Sequence, residues 1–350
     1  MAFHVARKLA ISALSLFALI LLGELLARAG EPGPLSLFDV SPYAKTATLP
    51  HVHKPKWRGA WDGSYYEINS RGWHGPEWSA SGASNELRVV VIGDSCTFGK
   101  GVDERDCWPR QLERALQAQL GPTRTVHVAN LGVNGYSGED YLEVFETQAL
   151  ALKPDIVVLG YNINDFPNVV KKVDAAVFQN KENLRSILPY EYRNELGKLA
   201  LFRFVRAKYY DLRREQNLRQ VEQFASGIGA ESATSPEVLA EERARLERVV
   251  AQCDAIGAHV AMFLFPYESQ VYLDTYSHAP IDAARGIAEP LGVAFLDIVE
   301  PFRGAAREQT PPRALFISGD RYHPNEDGYA IVASTVTAAL QQRAWLAQSR

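Results

Sequence analysis

Runs of consecutive apolar and β-branched residues recur between positions 87 and 298, and segments with helical spacing separate them. The first run covers residues 87–92 and ends at Gly93, and similar runs follow at 126–131, 156–160, 259–265 and 293–298. A continuous apolar run of this length is typical of a strand that is buried on both faces. Strands that alternate with helices predict a parallel sheet covered by helices on both sides.

Two of the intervening helices carry start signals. Residues 137–140 have the arrangement of a capping box, and Ser235 is followed by Pro236, which suits the first position of a helix. In parallel sheets of this kind the chemistry collects in the loops at the carboxyl ends of the strands. We therefore look for functional residues directly after each predicted strand.

The N-terminus has a different pattern. Arg7 and Lys8 precede an almost purely apolar stretch over residues 9–22. A basic flank before an apolar run predicts export, with the following chain outside the cytoplasm. We favour an uncleaved membrane anchor with the folded domain on the extracytoplasmic side. Secretion after cleavage at the small-x-small sequence of residues 27–29 is the alternative.

The remaining patterns divide the chain. Residues 1–29 are the anchor or signal, 30–86 a Pro-rich linker and an aromatic extension, and 87–350 the main domain, which contains the predicted strands. Asp62 and Gly63 predict a hairpin turn inside the extension. Its tryptophans could stack on sugars, but we favour the interpretation that they cover one edge of the core. A helical insertion at 166–234 interrupts the alternation; it is a lid, a surface leaning on the membrane, or a helical decoration.

Composition narrows the function. The chain has 37 basic and 41 acidic side chains and a net charge of −4, so no basic field recruits nucleic acid. Cys96, Cys107 and Cys253 are too few and too scattered for a disulfide framework or a zinc site. A pair between Cys96 and Cys107 stays open, although buried free thiols are favoured. We expect no cofactor and no metal, and the sequence leaves the oligomeric state open.

Three loops after strands carry candidate catalytic groups. Ser95 follows the first strand and enters a helical turn, which places its hydroxyl at the rim of the sheet. Gly135, after the second strand, offers a backbone N–H that no side chain obstructs. The Asn164 amide, after the third strand, can donate to a developing oxyanion without a change of charge. Asp165 beside it is expected to hold the loop by hydrogen bonds.

A fourth segment, residues 320–325, precedes the last helix. A serine hydroxyl needs a base to become a nucleophile, and His323 suits that role. Asp320 lies three residues earlier and can fold back to fix the tautomer of the imidazole. Pro324 keeps His323 out of helical geometry, so that its ring can face Ser95.

Together these four segments resemble the four sequence blocks of the SGNH (GDSL-like) hydrolase family, and the N-terminal part resembles its membrane-anchored bacterial members. The resemblance implies a three-layer α/β/α sandwich with a five-stranded parallel sheet. It also implies roles for five residues. The catalytic triad is Ser95, His323 and Asp320, and the oxyanion donors are Ser95, Gly135 and Asn164. Two positions depart from the pattern: Asn162 stands where the family usually has glycine, and Cys96 where a larger side chain is common.

Three functions are compatible with this set. The first is a serine esterase that forms an acyl-enzyme, with cell-envelope or extracellular carbohydrate esters as its expected substrates. The second is an O-acyltransferase that uses the same triad to modify a polysaccharide or glycolipid. The third is a carbohydrate-binding or assembly protein without catalysis, which the complete residue set disfavours.

Overall fold

The N-terminal segment is a single long helix. The computed structural model describes residues 2–31, 41–78, 85–166, 195–224, 226, 234–308, 312 and 314–346. Helix α1 (Ala2–Ala29) contains the segment His4–Ala29, whose most apolar stretch has a mean hydropathy of 2.3. None of the residues in that stretch is buried against the rest of the protein. By length and composition this helix can cross a membrane. The structure contains no membrane, and a signal sequence has the same properties.

Residues 41–78 form two small antiparallel ladders that precede the main domain. Strand β1 (Tyr43–Ala44) pairs with β2 (Val52–His53), and β3 (Arg58–Trp61) pairs with β4 (Ser64–Glu67). Asp62 and Gly63 connect β3 to β4 with φ angles of 52° and 82°, the positive values that a tight hairpin turn requires. Part of the stretch that the sequence predicts as a linker therefore carries regular structure.

A five-stranded parallel sheet forms the centre of the domain, as the sequence predicted. Every predicted apolar run is a strand. The strands are β5 (Glu86–Gly93), β6 (Thr125–Asn130), β7 (Ile156–Tyr161), β8 (His259–Leu264) and β9 (Ala294–Leu296). The spatial order is β6-β5-β7-β8-β9, so the first strand of this sheet lies in its interior, and successive strands are added on one side of β5 and then on the other.

Helices cover both faces of this sheet. After α1, the described α-helices are α2 (Ser95–Phe98), α3 (Trp108–Leu120), α4 (Gly138–Val144), α5 (Ala200–Leu212), α6 (Arg214–Phe224), α7 (Pro236–Ala255), α8 (Glu268–Tyr272), α9 (Ala279–Ala288), α10 (Val299–Arg307) and α11 (Glu326–Gln342). Alternate residues of β5 point to opposite layers: Val89 and Val91 pack toward α3 and α11, whereas Val90 and Ile92 pack toward α4, α7 and α9. Short 3₁₀ or π turns cover Glu104–Asp106, Phe145–Ala149, Leu150–Leu152, Ile163–Asp165 and Glu289–Leu291.

The predicted helix starts agree with the structure. Ser137 caps α4 in a reciprocal capping box with Asp140, and the Ser235 side chain accepts a hydrogen bond from the Val238 N–H at the start of α7. Within the predicted insertion, α5 and α6 are helical. Residues 167–194 and most of 225–233 lie outside the described residues, so the rest of that prediction stays a prediction.

Two buried histidines attach the extension to the domain. The His74 Nδ1–H donates to the Phe98 carbonyl at 2.6 Å, and the His53 ring lies 4.8 Å from the Phe98 ring. Burial lowers the pKa of His74 to about 4 and that of His53 to about 3. Burial also favours the neutral imidazole, which has an ordinary pKa near 6.5 in an unfolded chain.

The two histidines should contribute a fall in the free energy of unfolding as the pH drops from about 6.5 to about 4, because only the unfolded state gains protons at these positions. Each histidine contributes up to about 1.4 kcal/mol per pH unit. His74→Asn keeps a donor toward Phe98 but cannot titrate, so its slope of unfolding free energy against pH should differ from that of the wild type by the His74 share. Urea unfolding of the full chain in detergent, followed by tryptophan fluorescence at several pH values, measures the slope. His278→Asn, at a solvent-exposed position, is the control, and equal slopes for all three proteins would contradict the account.

Candidate active site

The candidate nucleophile lies where β5 ends. Ser95 is the first residue of α2 and is 7% exposed. The Asp94 side chain caps this short helix by accepting a hydrogen bond from the Cys96 N–H at 2.8 Å. Ser95 follows β5 at its carboxyl end, beside the point where the strand order reverses, and sheets of this type usually bind ligands at that position.

Ser95, His323 and Asp320 form one chain of hydrogen bonds. The Ser95 Oγ lies 2.7 Å from His323 Nε2, and His323 Nδ1 lies 2.7 Å from Asp320 Oδ2. An imidazole that donates its Nδ1–H to a carboxylate has Nε2 free to accept, so Ser95 is the donor in the first contact. A longer contact of 3.3 Å joins Ser95 Oγ to Asp94 Oδ2. Because the contact with His323 is shorter by 0.6 Å, we assign the hydroxyl proton of Ser95 to the hydrogen bond with His323.

Asp320 is held in its ionised form. Its Oδ1 accepts from the backbone N–H groups of Arg321, Tyr322 and His323, at 2.6, 3.2 and 3.2 Å. Burial alone would raise the pKa of Asp320. The charge and hydrogen bond of His323, with Lys100 and these N–H groups, outweigh burial and hold the pKa well below its usual range.

Backbone hydrogen bonds fix the loop that carries His323, the candidate base. The Ile317 N–H donates to the His323 carbonyl at 3.0 Å, and the Asn325 N–H donates to the Leu315 carbonyl at 3.0 Å. The Asn325 side chain then caps α11 by accepting from the Gly328 N–H. His323 therefore lies on a short hairpin-like turn before a capped helix, and it is only 2% exposed.

The Asn164 loop is organised by Asp165, as the sequence predicted. Asp165 Oδ2 accepts from the Asn162 N–H at 2.6 Å and from the Tyr141 hydroxyl at 2.5 Å. Burial and the nearby Asp94 raise the pKa of Asp165 well above its usual range. Asn164 is the central residue of the 3₁₀ turn at the carboxyl end of β7, and its Oδ1 is buried without a hydrogen-bond partner.

Gly135 lies in the loop after β6. It is exposed, with φ at 79°, and its neighbour Asn134 accepts a hydrogen bond from the His51 ring at 2.8 Å through its carbonyl. In the described part of the chain, neither Gly135 nor Asn164 forms a hydrogen bond with the triad. Both lie on loops at the same edge of the sheet as Ser95, where substrate would have to bridge them.

The two departures from the family pattern contact each other. The Asn162 Nδ2 lies 3.5 Å from Cys96 Sγ, and both side chains are fully buried. The small Cys96 leaves room for the side chain that Asn162 has and glycine lacks. The sequence shows both substitutions, but residues 66 positions apart carry no pattern that would reveal their contact.

An ion pair near the candidate triad joins two residues that no sequence motif connects. The Lys100 Nζ lies 2.8 Å from Asp62 of the hairpin turn. Burial would lower the pKa of Lys100, but Asp62, Tyr322 and Asp320 together raise it, so the ammonium stays charged near Asp320. Asp62 of the extension thus helps to keep Lys100 charged, and the charge on Lys100 in turn lowers the pKa of Asp320.

Comparison with known families assigns the class. The GDSL-like lipase/acylhydrolase family matches residues 91–331. This match covers more than half of the chain, and the chain therefore belongs to that family. It is an enzyme that hydrolyses ester bonds. No curated protein matches the chain in sequence.

Several solved structures are similar to the chain at low identity. LAE5, an alpha/beta hydrolase enzyme from the metagenome of Lake Arreo, Spain, is 19% identical with a TM-score of 0.45 and covers 74% of this chain and 96% of its own. A mutant of Axe2, an acetylxylan esterase from Geobacillus stearothermophilus, is 18% identical with a TM-score of 0.44, covering 73% and 94%. TesA is 15% identical with a TM-score of 0.42, covering 73% and 98%.

The contact between Cys96 and Asn162 predicts compensation. Cys96→Leu alone overfills the core and should cost about 1–3 kcal/mol of unfolding free energy. Asn162→Gly alone removes the contact and leaves a void. The double variant should recover much of the loss, with a coupling energy of about 1 kcal/mol or more.

Thermal unfolding and ester hydrolysis of the four proteins close this double-mutant cycle. Cys253→Leu is the matched control because Cys253 is also fully buried but lies in α7. Its effect should add to that of Asn162→Gly without coupling. Additive losses for Cys96→Leu and Asn162→Gly would show that the two positions are independent.

Proposed function

We propose that the chain is a serine esterase that works through an acyl-enzyme on the extracytoplasmic side of a membrane. Ser95 is the nucleophile, His323 its base and Asp320 the partner of the base. The observation that carries this proposal is the continuous hydrogen-bond chain from Asp320 through His323 to Ser95, with both contacts at 2.7 Å.

In acylation, the ester bond to the alcohol is replaced by an ester bond to Ser95, and one proton passes from Ser95 to the departing alcohol through His323. As Ser95 Oγ attacks the ester carbonyl, His323 Nε2 takes the hydroxyl proton and becomes an imidazolium that Asp320 stabilises. The tetrahedral intermediate collapses, the bond to the alcohol breaks, and His323 returns the proton to the departing oxygen. Water then repeats the sequence on the acyl-enzyme, releases the acid and regenerates Ser95.

Three donors are proposed for the oxyanion: the backbone N–H groups of Ser95 and Gly135 and the Asn164 side-chain amide. All three lie on loops after strands β5, β6 and β7. The Ser95 N–H also lies at the start of α2, where backbone donors point away from the helix. Donors held at fixed positions stabilise the developing charge without reorganisation during the reaction.

The proposed location rests on α1 and its basic flank. Arg7 and Lys8 precede the apolar stretch, which favours a cytoplasmic start and an exported catalytic domain. Retention of α1 is supported by contacts beside the potential cleavage sequence. Arg28 is 6% exposed and donates to the Lys198 carbonyl at 2.6 Å, and Glu24 accepts from the backbone N–H groups that begin α5. Cleavage after Ala29 would remove both partners.

Carbohydrate esters are the proposed substrates. A cleft of about 420 Å³ lies between the extension and the loop after β6, and its lining includes Val133 and Tyr136, which lie close to Gly135 in the sequence. Trp73, Tyr136 and Arg71 are among its lining residues, a mixture of flat rings and a hydrogen-bond donor that suits a sugar. Transfer to a sugar hydroxyl would use the same triad, so the partition of the acyl group between water and an added polysaccharide distinguishes esterase from acyltransferase.

Removing either end of the catalytic contact should abolish turnover. Ser95→Ala and His323→Ala should each lower kcat/KM for a short aryl ester by about 10³-fold or more, because the triad acts as a unit. Asn164→Ala should lower kcat by about 10²–10³-fold through the loss of one oxyanion donor. Steady-state kinetics of the purified full chain measure these changes.

Ser334→Ala, an exposed serine on α11, is the matched control and should retain wild-type kinetics. A fluorophosphonate probe should label the wild-type chain and not Ser95→Ala. Activity that survives both triad substitutions would refute the mechanism, and a folded wild-type chain that the probe does not label would indicate a binding protein.

A further inference from the structure

Helix α5 has an exposed apolar face. Ala200, Arg203 and Tyr210 on one side are buried at helical spacing. On the other side Phe204 and Val205 are each 55% exposed and Leu212 is 85% exposed. Large apolar side chains grouped on one helix face indicate a binding surface.

Cationic and aromatic groups accompany this apolar face: Lys208 lies within it, one turn from both Phe204 and Leu212, and Tyr209 and Arg213 lie beside it. The Lys208 ammonium lies 5.9 Å from the centre of the Phe204 ring, and Arg213 donates to the Tyr209 hydroxyl at 2.7 Å. Lys208 and Tyr209 are both exposed. Apolar side chains flanked by lysine, arginine and tyrosine are characteristic of helices that lie in the interface of a membrane, where cations reach lipid phosphates.

The start of α5 is attached to the end of α1. The Glu24 carboxylate accepts from the N–H groups of Ala200 and Leu201 at 2.9 and 2.8 Å, which satisfies donors that a helix start leaves unpaired. Glu31, just after α1, forms an ion pair with Arg203 at 2.6 Å. These contacts fix α5 beside the last turns of α1, where the apolar stretch ends.

We propose that α5 lies in the interface of a phospholipid bilayer, with Phe204, Val205 and Leu212 among the acyl chains and the neighbouring cations on anionic headgroups. This inference rests on the proposed membrane insertion of α1. A bilayer is favoured over a second copy of the chain because Glu24 and Glu31 hold α5 at the level where a membrane-spanning α1 would leave the hydrocarbon.

The buried side of α5 carries the catalytic loop. Gly319 has φ at 80°, and a Cβ there would lie 2.7 Å from the Ala207 backbone, so helix and loop are in direct contact. The Ser318 hydroxyl donates to Asp211 at 2.8 Å. Because a helix with its side chains is about 10–12 Å across, the loop that holds Asp320 and His323 would lie about that far from the lipid. Esters attached to membrane components would then be within reach.

Site-directed fluorescence tests the placement of α5. The three native cysteines are buried, so a thiol-reactive NBD dye labels an introduced cysteine selectively. The full chain carries Val205→Cys, Leu212→Cys, Leu14→Cys in α1, or Ala118→Cys at the far end of α3 near the amino edge of the sheet. Each labelled protein is reconstituted into vesicles of phosphatidylcholine and phosphatidylglycerol, with and without a doxyl-labelled lipid that quenches NBD.

The dyes at positions 205, 212 and 14 should lose most of their fluorescence to the lipid quencher, and the dye at 118 should lose none. Quenching at 14 but not at 205 and 212 would overturn the placement of α5 and leave the anchor standing. Absence of quenching at all four positions would overturn the anchor as well. A blue-shifted but unquenched dye at 205 and 212 would assign this face to a second copy of the chain and also overturn the inference.

Discussion

The contact of 2.7 Å between His323 Nε2 and Ser95 Oγ is the interaction on which the proposed chemistry depends. It joins residues 228 positions apart. Proton transfer demands this distance to within a few tenths of an ångström. Asp94 fixes the serine side from the end of β5, and three backbone N–H groups fix Asp320 on the histidine side. The parallel sheet brings the turn at Ser95 and the turn at Asp320 and His323 together at the carboxyl ends of its strands.

The site also concentrates buried acidic groups. Burial raises the pKa of both Asp94 and Asp165, whereas Asp320 keeps a lowered pKa because its partners outweigh its burial. Neighbouring carboxyl groups with opposite pKa shifts are suited to different tasks: a carboxylate that stays charged can stabilise an imidazolium, whereas Asp94 and Asp165 accept hydrogen bonds from backbone N–H groups. This difference supports the proposed role of Asp320 as the partner of His323.

Local signals in the sequence predicted the strands and the beginnings of the helices. The run that ends at Gly93 became β5, and Ser137 and Ser235 cap helices where their spacing indicated. Such features depend on a few adjacent residues, which is why sequence alone could predict them. The three-layer sandwich with five strands and the assignment of Ser95, His323 and Asp320 as one triad came from resemblance to a family, because local sequence shows only that His323 could face a serine. The order of the strands was not predicted, since it depends on contacts between distant segments.

Contacts between distant side chains could not be predicted. Lys100 meets Asp62, and Asn162 meets Cys96, only because the folded chain brings separate loops together. Glu24 offered one signal, an acidic residue that interrupts an apolar segment, but its partner N–H groups at the start of α5 lie 176 and 177 residues away. The contacts of the extension and of α1 with the catalytic domain therefore depend on the packing of distant segments, and only the structure shows them.

Trapping the covalent intermediate shows whether Ser95 is the nucleophile. The full chain is mixed with an aryl acetate, quenched in acid during turnover, digested and analysed by mass spectrometry. We expect one acetyl group on the hydroxyl of Ser95, absent from Ser95→Ala, and discharge of that group when turnover is allowed to continue. Turnover of the ester with no acetyl group on Ser95 at any time point would contradict this role of Ser95.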